Sequence, residues 1–146
     1  MSVILGPEVE VKIKRMLEGE SFHDRSMPEA LRKAQEFASR SKEGFVASMP
    51  ELLAGRVAAP VNNKVWTDWF TCNSEEDVIR TNQGSRLLLV VHGGGILSDP
   101  QRIRSAYKEG LTPEFAAKLT YKEAQDLLAG KLPSGRGIPV IPFKEF

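Results

Sequence analysis

RLLLVVHGGGILSDP, residues 86–100, decides how this chain reads. Leu87 to Val91 form an unbroken apolar run that ends at His92 and three glycines, and an Asp-Pro pair comes shortly after. A short continuous apolar run bounded by turn residues suits a strand buried on both faces, so residues 86–92 are expected to form the central strand. Asp99 is a natural N-cap with Pro100 at the first helical position. Ile103, Ala106, Tyr107 and Leu111 then recur at the spacing of one buried helical face. Between strand and helix, Gly93, Gly94 and Gly95 offer backbone without Cβ atoms and free access to positive φ.

Outward from that stretch, helix starts are legible because Pro-Glu recurs in GPEVEVK (6–12), SMPEALRKA (26–34), SMPELLAGR (48–56) and LTPEFAAKL (111–119). Proline in the first turn loses no hydrogen bond, and glutamate there meets the positive end of the helix dipole. The first helix, from Pro7 to about Glu18, puts Val9, Ile13, Met16 and Leu17 on one stripe, although Val9, Val11 and Ile13 also alternate as in a strand. The second, from Pro28 to about Ser39, turns Leu31, Ala34, Phe37 and Ala38 to one side. A helix from Thr112 would face Phe115, Ala116 and Leu119 inward. Thr120 and Glu123 form a capping box for a last helix with Tyr121, Ala124, Leu127 and Leu128 inward, ending at Gly130. The two SMPE strings run on into unlike residues, a long helix in one case and LLAGRVAAP in the other, and are not a repeat. GFVAS (44–48), KVWTDWFTC (64–72) and IPVIPF (138–143) read as further strands, and SEEDVIRTNQG (74–84) as a short capped helix and a turn. The expected fold is α+β: one compact domain over residues 1–146, with a small mixed sheet around the 86–92 strand covered by several short helices. Residues 1–43 would be mainly helical, and 44–146 would carry the sheet and the C-terminal helices.

Twenty basic and nineteen acidic residues leave a net charge of +1, interleaved along the chain, which disfavours nucleic acid as a partner. The longest apolar run falls far short of the ~20 residues of a membrane helix. MSVIL lacks the basic start and full apolar core of a secretion signal, and Cys72 is the only cysteine. Together these point to a reducing cytoplasm and no membrane.

The chemistry centres on the glycines. A bare turn leading into a helix can aim backbone N–H groups at an anion, and Arg102 and Arg104 just inside the helix can add charge-assisted contacts. The nucleotide fingerprint G-x-G-x-x-G is met at Gly93 and Gly95 but has Ser98 at its third glycine, and no P-loop motif occurs. Over His92 to Gly95 alone, HGGG resembles the oxyanion-hole turn of lipase-type α/β-hydrolases. Such enzymes also need a G-x-S-x-G elbow downstream; here the nearest string, GESFH (19–23), lies upstream and lacks its second glycine.

The leading expectation is therefore a pocket for a small anionic or nucleotide-like molecule, lined by Gly93, Gly94, Gly95, Arg102, Trp66 and Asp68. If the pocket is catalytic, His92 is its acid or base, because imidazole titrates near neutrality. A runner-up is a small thiol hydrolase with Cys72 as nucleophile, His92 as base and Asp68 or Asp99 orienting it. The alternative from another class is an interaction or assembly module, homo-oligomeric or not, whose glycine turn is only architecture. His23 and His92 stand in no ligand spacing, so no metal site is expected, and the sequence names no cofactor.

Overall fold

The computed structural model of this chain describes residues 7–68, 70–135 and 137. It is α+β, with six helices and a two-stranded antiparallel sheet. In chain order these are α1 (Pro7–Leu17), α2 (Met27–Ser39), α3 (Met49–Ala58), α4 (Lys64–Thr67), β1 (Ser74–Arg80), β2 (Arg86–His92), a 3₁₀ turn (Ile96–Ser98), α5 (Pro100–Glu109) and α6 (Tyr121–Leu128). No helix among the described residues is long and apolar enough to cross a membrane.

The hairpin organises the rest. β1 and β2 pair from Ser74↔His92 to Arg80↔Arg86. The connecting loop is closed by Thr81 N–H donating to the Ser85 carbonyl (2.8 Å) and Gly84 N–H to the Thr81 carbonyl (2.9 Å). Two details of the sequence reading change here. SEEDVIR is a strand and not a capped helix: Val78 and Ile79 favour extended backbone, and pairing with β2 outweighs the local helix preference of the acids. And β2 has β1 as its one neighbour among the described residues, so the sheet is an antiparallel pair and not a mixed sheet with a middle strand. Accordingly only one face of β2 is buried. Leu89 and Val91 point into the core, while Leu88 and Val90, with Val78 across from Leu88, are each more than half exposed.

The core packs Ile79, Leu89 and Val91 against Ile96, Leu127 and Leu132, with Leu97, Leu119, Ala124 and Leu128 around them. α6 is positioned by its capping box: Glu123 N–H donates to Thr120 Oγ1 (3.1 Å), and Thr120 N–H to Glu123 Oε1 (2.8 Å). Asp99 caps α5 by accepting from Gln101 N–H (2.9 Å). Ser48 caps α3, its N–H and its hydroxyl both donating to Glu51 Oε1 (2.9 and 2.8 Å). Of the stripe expected on α1, Ile13 is buried and Met16 and Leu17 are half-buried, while the Val9 side chain lies outside the described part. Val11 is exposed, as a helix and not a strand requires.

Four further expectations are corrected. KVWTDWFTC begins as a helix, because Asn63 Oδ1 accepts from Val65 N–H (2.9 Å) and starts one helical turn that stops at Asp68. GFVAS is irregular, and its Ala47 carbonyl accepts Asn73 N–H (2.8 Å) just before β1. LTPEF closes a turn instead of opening a helix. The Thr112 carbonyl accepts from Phe115 N–H (2.9 Å), the Thr112 hydroxyl from Ala116 N–H (3.1 Å), and Phe115 sits at φ 63°. Phe115, Tyr107 and Tyr121, all expected inward, are 84%, 57% and 78% exposed. The segment IPVIPF lies outside the described residues.

Candidate functional site

The three glycines do different jobs. Gly93 (φ 83°) and Gly94 (φ 71°) take the left-handed conformation that turns the chain out of β2. Gly93 N–H donates to the Asn73 carbonyl (2.7 Å), tying the turn to the residue before β1. Gly95 is extended and is required for space: a Cβ there would collide with the carboxyl of Glu75.

Glu75 is the residue that sequence reading passed over. Its Oε1 accepts Leu97 N–H (3.0 Å), and the Ile96 N–H bonds to the same side chain. The backbone amides beyond the glycines are thus met by the chain's own carboxyl. Asp77 comes two residues later on the same inner face of β1 and is 5% exposed. The two carboxyls act on each other's protonation, and no protein N–H or O–H reaches Glu75 Oε2 or Asp77 Oδ2. Burial, then the nearby charge of Asp77 and the hydrogen bond to it, push Glu75 up to about 8. Asp77 is also raised, by burial and by Glu123, against the hydrogen bond from Glu75.

Glu75 faces a cavity of about 880 Å³. Its walls are largely apolar: Met16 and Leu17 from α1, Met27, Leu31 and Ala34 from α2, Val65 from α4, and Phe70, Leu97 and Ile103 beyond. Cys72, half-buried and reduced, belongs to the same wall. Exposed polar residues, among them His23 and Arg25, stand at the rim.

The residues singled out from sequence are dispersed around this cavity. His92 lies on the outer face of the hairpin, its Nδ1 2.8 Å from Ser74 Oγ. Arg102 makes a two-pronged ion pair with Glu123 (Nε–Oε2 2.8 Å, Nη2–Oε1 2.9 Å), and Nη2 also donates to the Lys118 carbonyl (2.8 Å). Its charge joins α5 to the start of α6. Arg104 likewise joins α5 to α2 through Glu29 (3.1 Å). Trp66 Nε1 donates to the Ala59 carbonyl (3.2 Å), with the Arg56 guanidinium over its ring at 5.7 Å. Asp68 ends α4 at the surface and accepts from Thr67 Oγ1 (3.2 Å), and Asp99 is occupied as the α5 cap. Gly93, Gly94 and Gly95 adjoin the cavity through Glu75 and Leu97 without lining it. Two acids spaced i, i+2 beside Val-Ile were the available signal for Glu75 and Asp77, and it reads as a buried pair only once the segment is known to be a strand.

Among the described residues, no group of three or more His, Cys, Asp or Glu is placed to hold a metal ion. No family model, curated protein or solved structure matches the chain.

Proposed function

We propose that this chain binds a small, largely apolar molecule in the cavity between α1, α2, α4 and the glycine turn, with the ligand's polar group at Glu75. The observation that carries the reading is the combination of largely apolar walls with the half-buried carboxyl of Glu75, while the other lining acids, Glu20, Asp24 and Glu76, are exposed. This moves the ligand chemistry away from the anion expected from sequence, because Glu75 sits at the turn's amides and Arg102 is held by Glu123. The test is thermal shift and calorimetry with a panel of small amphiphiles, on the native chain and on Ala34→Trp, which puts an indole into the cavity. A ligand that raises the melting point of the native chain and not of Ala34→Trp supports the proposal. Ligands that act equally on both chains overturn it, as does a panel without effect.

The interaction-module reading keeps one observation of its own, the exposed apolar patch of Val78, Leu88 and Val90 on the outer hairpin face. Light scattering over a range of concentrations tests it: a mass that rises and then falls back in Leu88→Lys favours the module, and a constant monomer mass removes it.

A further inference from the structure

The outer face of the hairpin is apolar in the middle and charged on either side. Alternation along the strands buries Asp77, Ile79, Leu89 and Val91 and turns Glu76, Val78 and Arg80 of β1, with Arg86, Leu88 and Val90 of β2, the other way. The register sets these in rows: Glu76 beside Val90, Val78 beside Leu88, and Arg80 beside Arg86. Val78, Leu88 and Val90 are 62%, 59% and 51% exposed.

Two arginines directly opposite each other repel across a strand pair. No ion pair among the described residues takes up Glu76, Arg80 or Arg86. The face therefore presents an apolar row with surplus positive charge on one side of it and a carboxylate on the other. Helix α3 offers a second exposed apolar stripe, Met49, Leu53 and Val57. Its charges, however, are engaged within the chain: Glu51 pairs with Lys12 and accepts from Ser48, and Arg56 donates to the Val65 carbonyl. The hairpin face couples apolar surface to unpaired charges of both signs, and the α3 stripe does not.

From this charge pattern we infer that the hairpin face docks on the same face of a second copy of this chain, with the strands reversed. The inference names the partner for the interaction-module reading and rests on it. A two-fold axis lying across the strands at the Val78–Leu88 row sets each of these side chains on its own counterpart. The neighbouring rows then cross over: Arg80 comes over Glu76 of the second copy, Glu76 over Arg80 of the second copy, and Arg86 stands alongside the same carboxylate. Strands laid in the same direction would instead stack arginines on arginines, which is the arrangement the charges reject. Two short strand pairs make a contact below the ~1,200 Å² of standard interfaces, so the dimer is weak and reversible.

The experiment is sedimentation equilibrium on the full chain, up to about 1 mM because a contact of this size is weak. The mass of the native chain should rise toward that of a dimer. Glu76→Arg makes the charges of the face all basic, and Arg80→Glu/Arg86→Glu makes them all acidic. Each alone should associate at least about tenfold more weakly, and an equimolar mixture of the two should recover the native affinity. Leu88→Lys should be monomeric, and Leu53→Lys on α3 should behave as native. Charge variants that associate like the native chain, or a mixture that restores nothing, overturn the inference; if Leu88→Lys still abolishes association, the interaction surface stands. Association lost in Leu53→Lys and kept in Leu88→Lys overturns both, and so does a constant monomer mass. Should a charge variant fail to fold, salt decides on the native chain: about 0.5 M sodium chloride should weaken the dimer, and a salt-independent mass overturns the inference.

Discussion

The two sides of the glycine turn are built to different densities. Toward α6, the inner face of the hairpin closes on Ile96, Leu127 and Leu132. Toward α1 and α2, the same turn borders a cavity of about 880 Å³. One side holds the turn and Glu75 at fixed coordinates, and the other gives that carboxyl something to face. A small chain cannot maximise packing and keep a cavity in the same place, and here the two demands are separated by one strand end.

The sharpest way to break this contrast is truncation on both sides. Leu127→Ala removes a side chain that is 1% exposed in the dense half and should cost about 3 kcal/mol in denaturant unfolding. Leu31→Ala borders space that already exists and should cost under about 1.5 kcal/mol; equal costs would mean that the two halves are packed alike. The turn between them comes next. Gly95→Ala drives a Cβ into the Glu75 carboxyl and should cost about 2 kcal/mol, most of it recovered when Glu75→Ala is added. Recovery in the double variant separates a collision with this one side chain from general damage to the turn.

Acidity tests the same carboxyl without changing the sequence. Glu75 is raised from 4.5 to about 8 on folding, so between those values the folded chain binds more protons than the unfolded one. Its contribution is present in full below pH 4.5 and is lost as pH rises through 8. Stability should therefore fall by roughly 2 kcal/mol between pH 5 and pH 8.5, a linkage value reduced for partial exposure. Glu75→Gln should flatten that slope. Glu123, held low by its hydrogen bond to Arg102, acts in the opposite sense and only at lower pH. Smaller still, Thr120→Ala removes the α6 cap and should cost about 1 kcal/mol. Val78→Thr on the exposed hairpin face should stay within about 0.5 kcal/mol.

Where a signal is local, the sequence carried it. Asp99 before Pro100, Thr120 three residues before Glu123, and Ser48 before Met-Pro-Glu each state a cap in four letters, and each cap forms. LTPEF carries similar letters and fails, because Thr112 and Phe115 close a turn on themselves before a helix can propagate. What depends on distant partners was hidden. Ser74 to Arg80 becomes a strand through β2, and only that pairing places Glu75 and Asp77 inside. The glycines were read as a turn open to an anion from solvent. The amides that meet a carboxyl are those of Ile96 and Leu97 just beyond them, and that carboxyl arrives from β1 and not from solvent.

Cys72 is the only cysteine of the chain, and it stands in the cavity wall. A thiol reagent therefore reports on that wall alone, with no background from other sites. The rate at which Cys72 is alkylated becomes a clock for cavity occupancy, slowing as the space fills, and it can be read without knowing in advance what fills it.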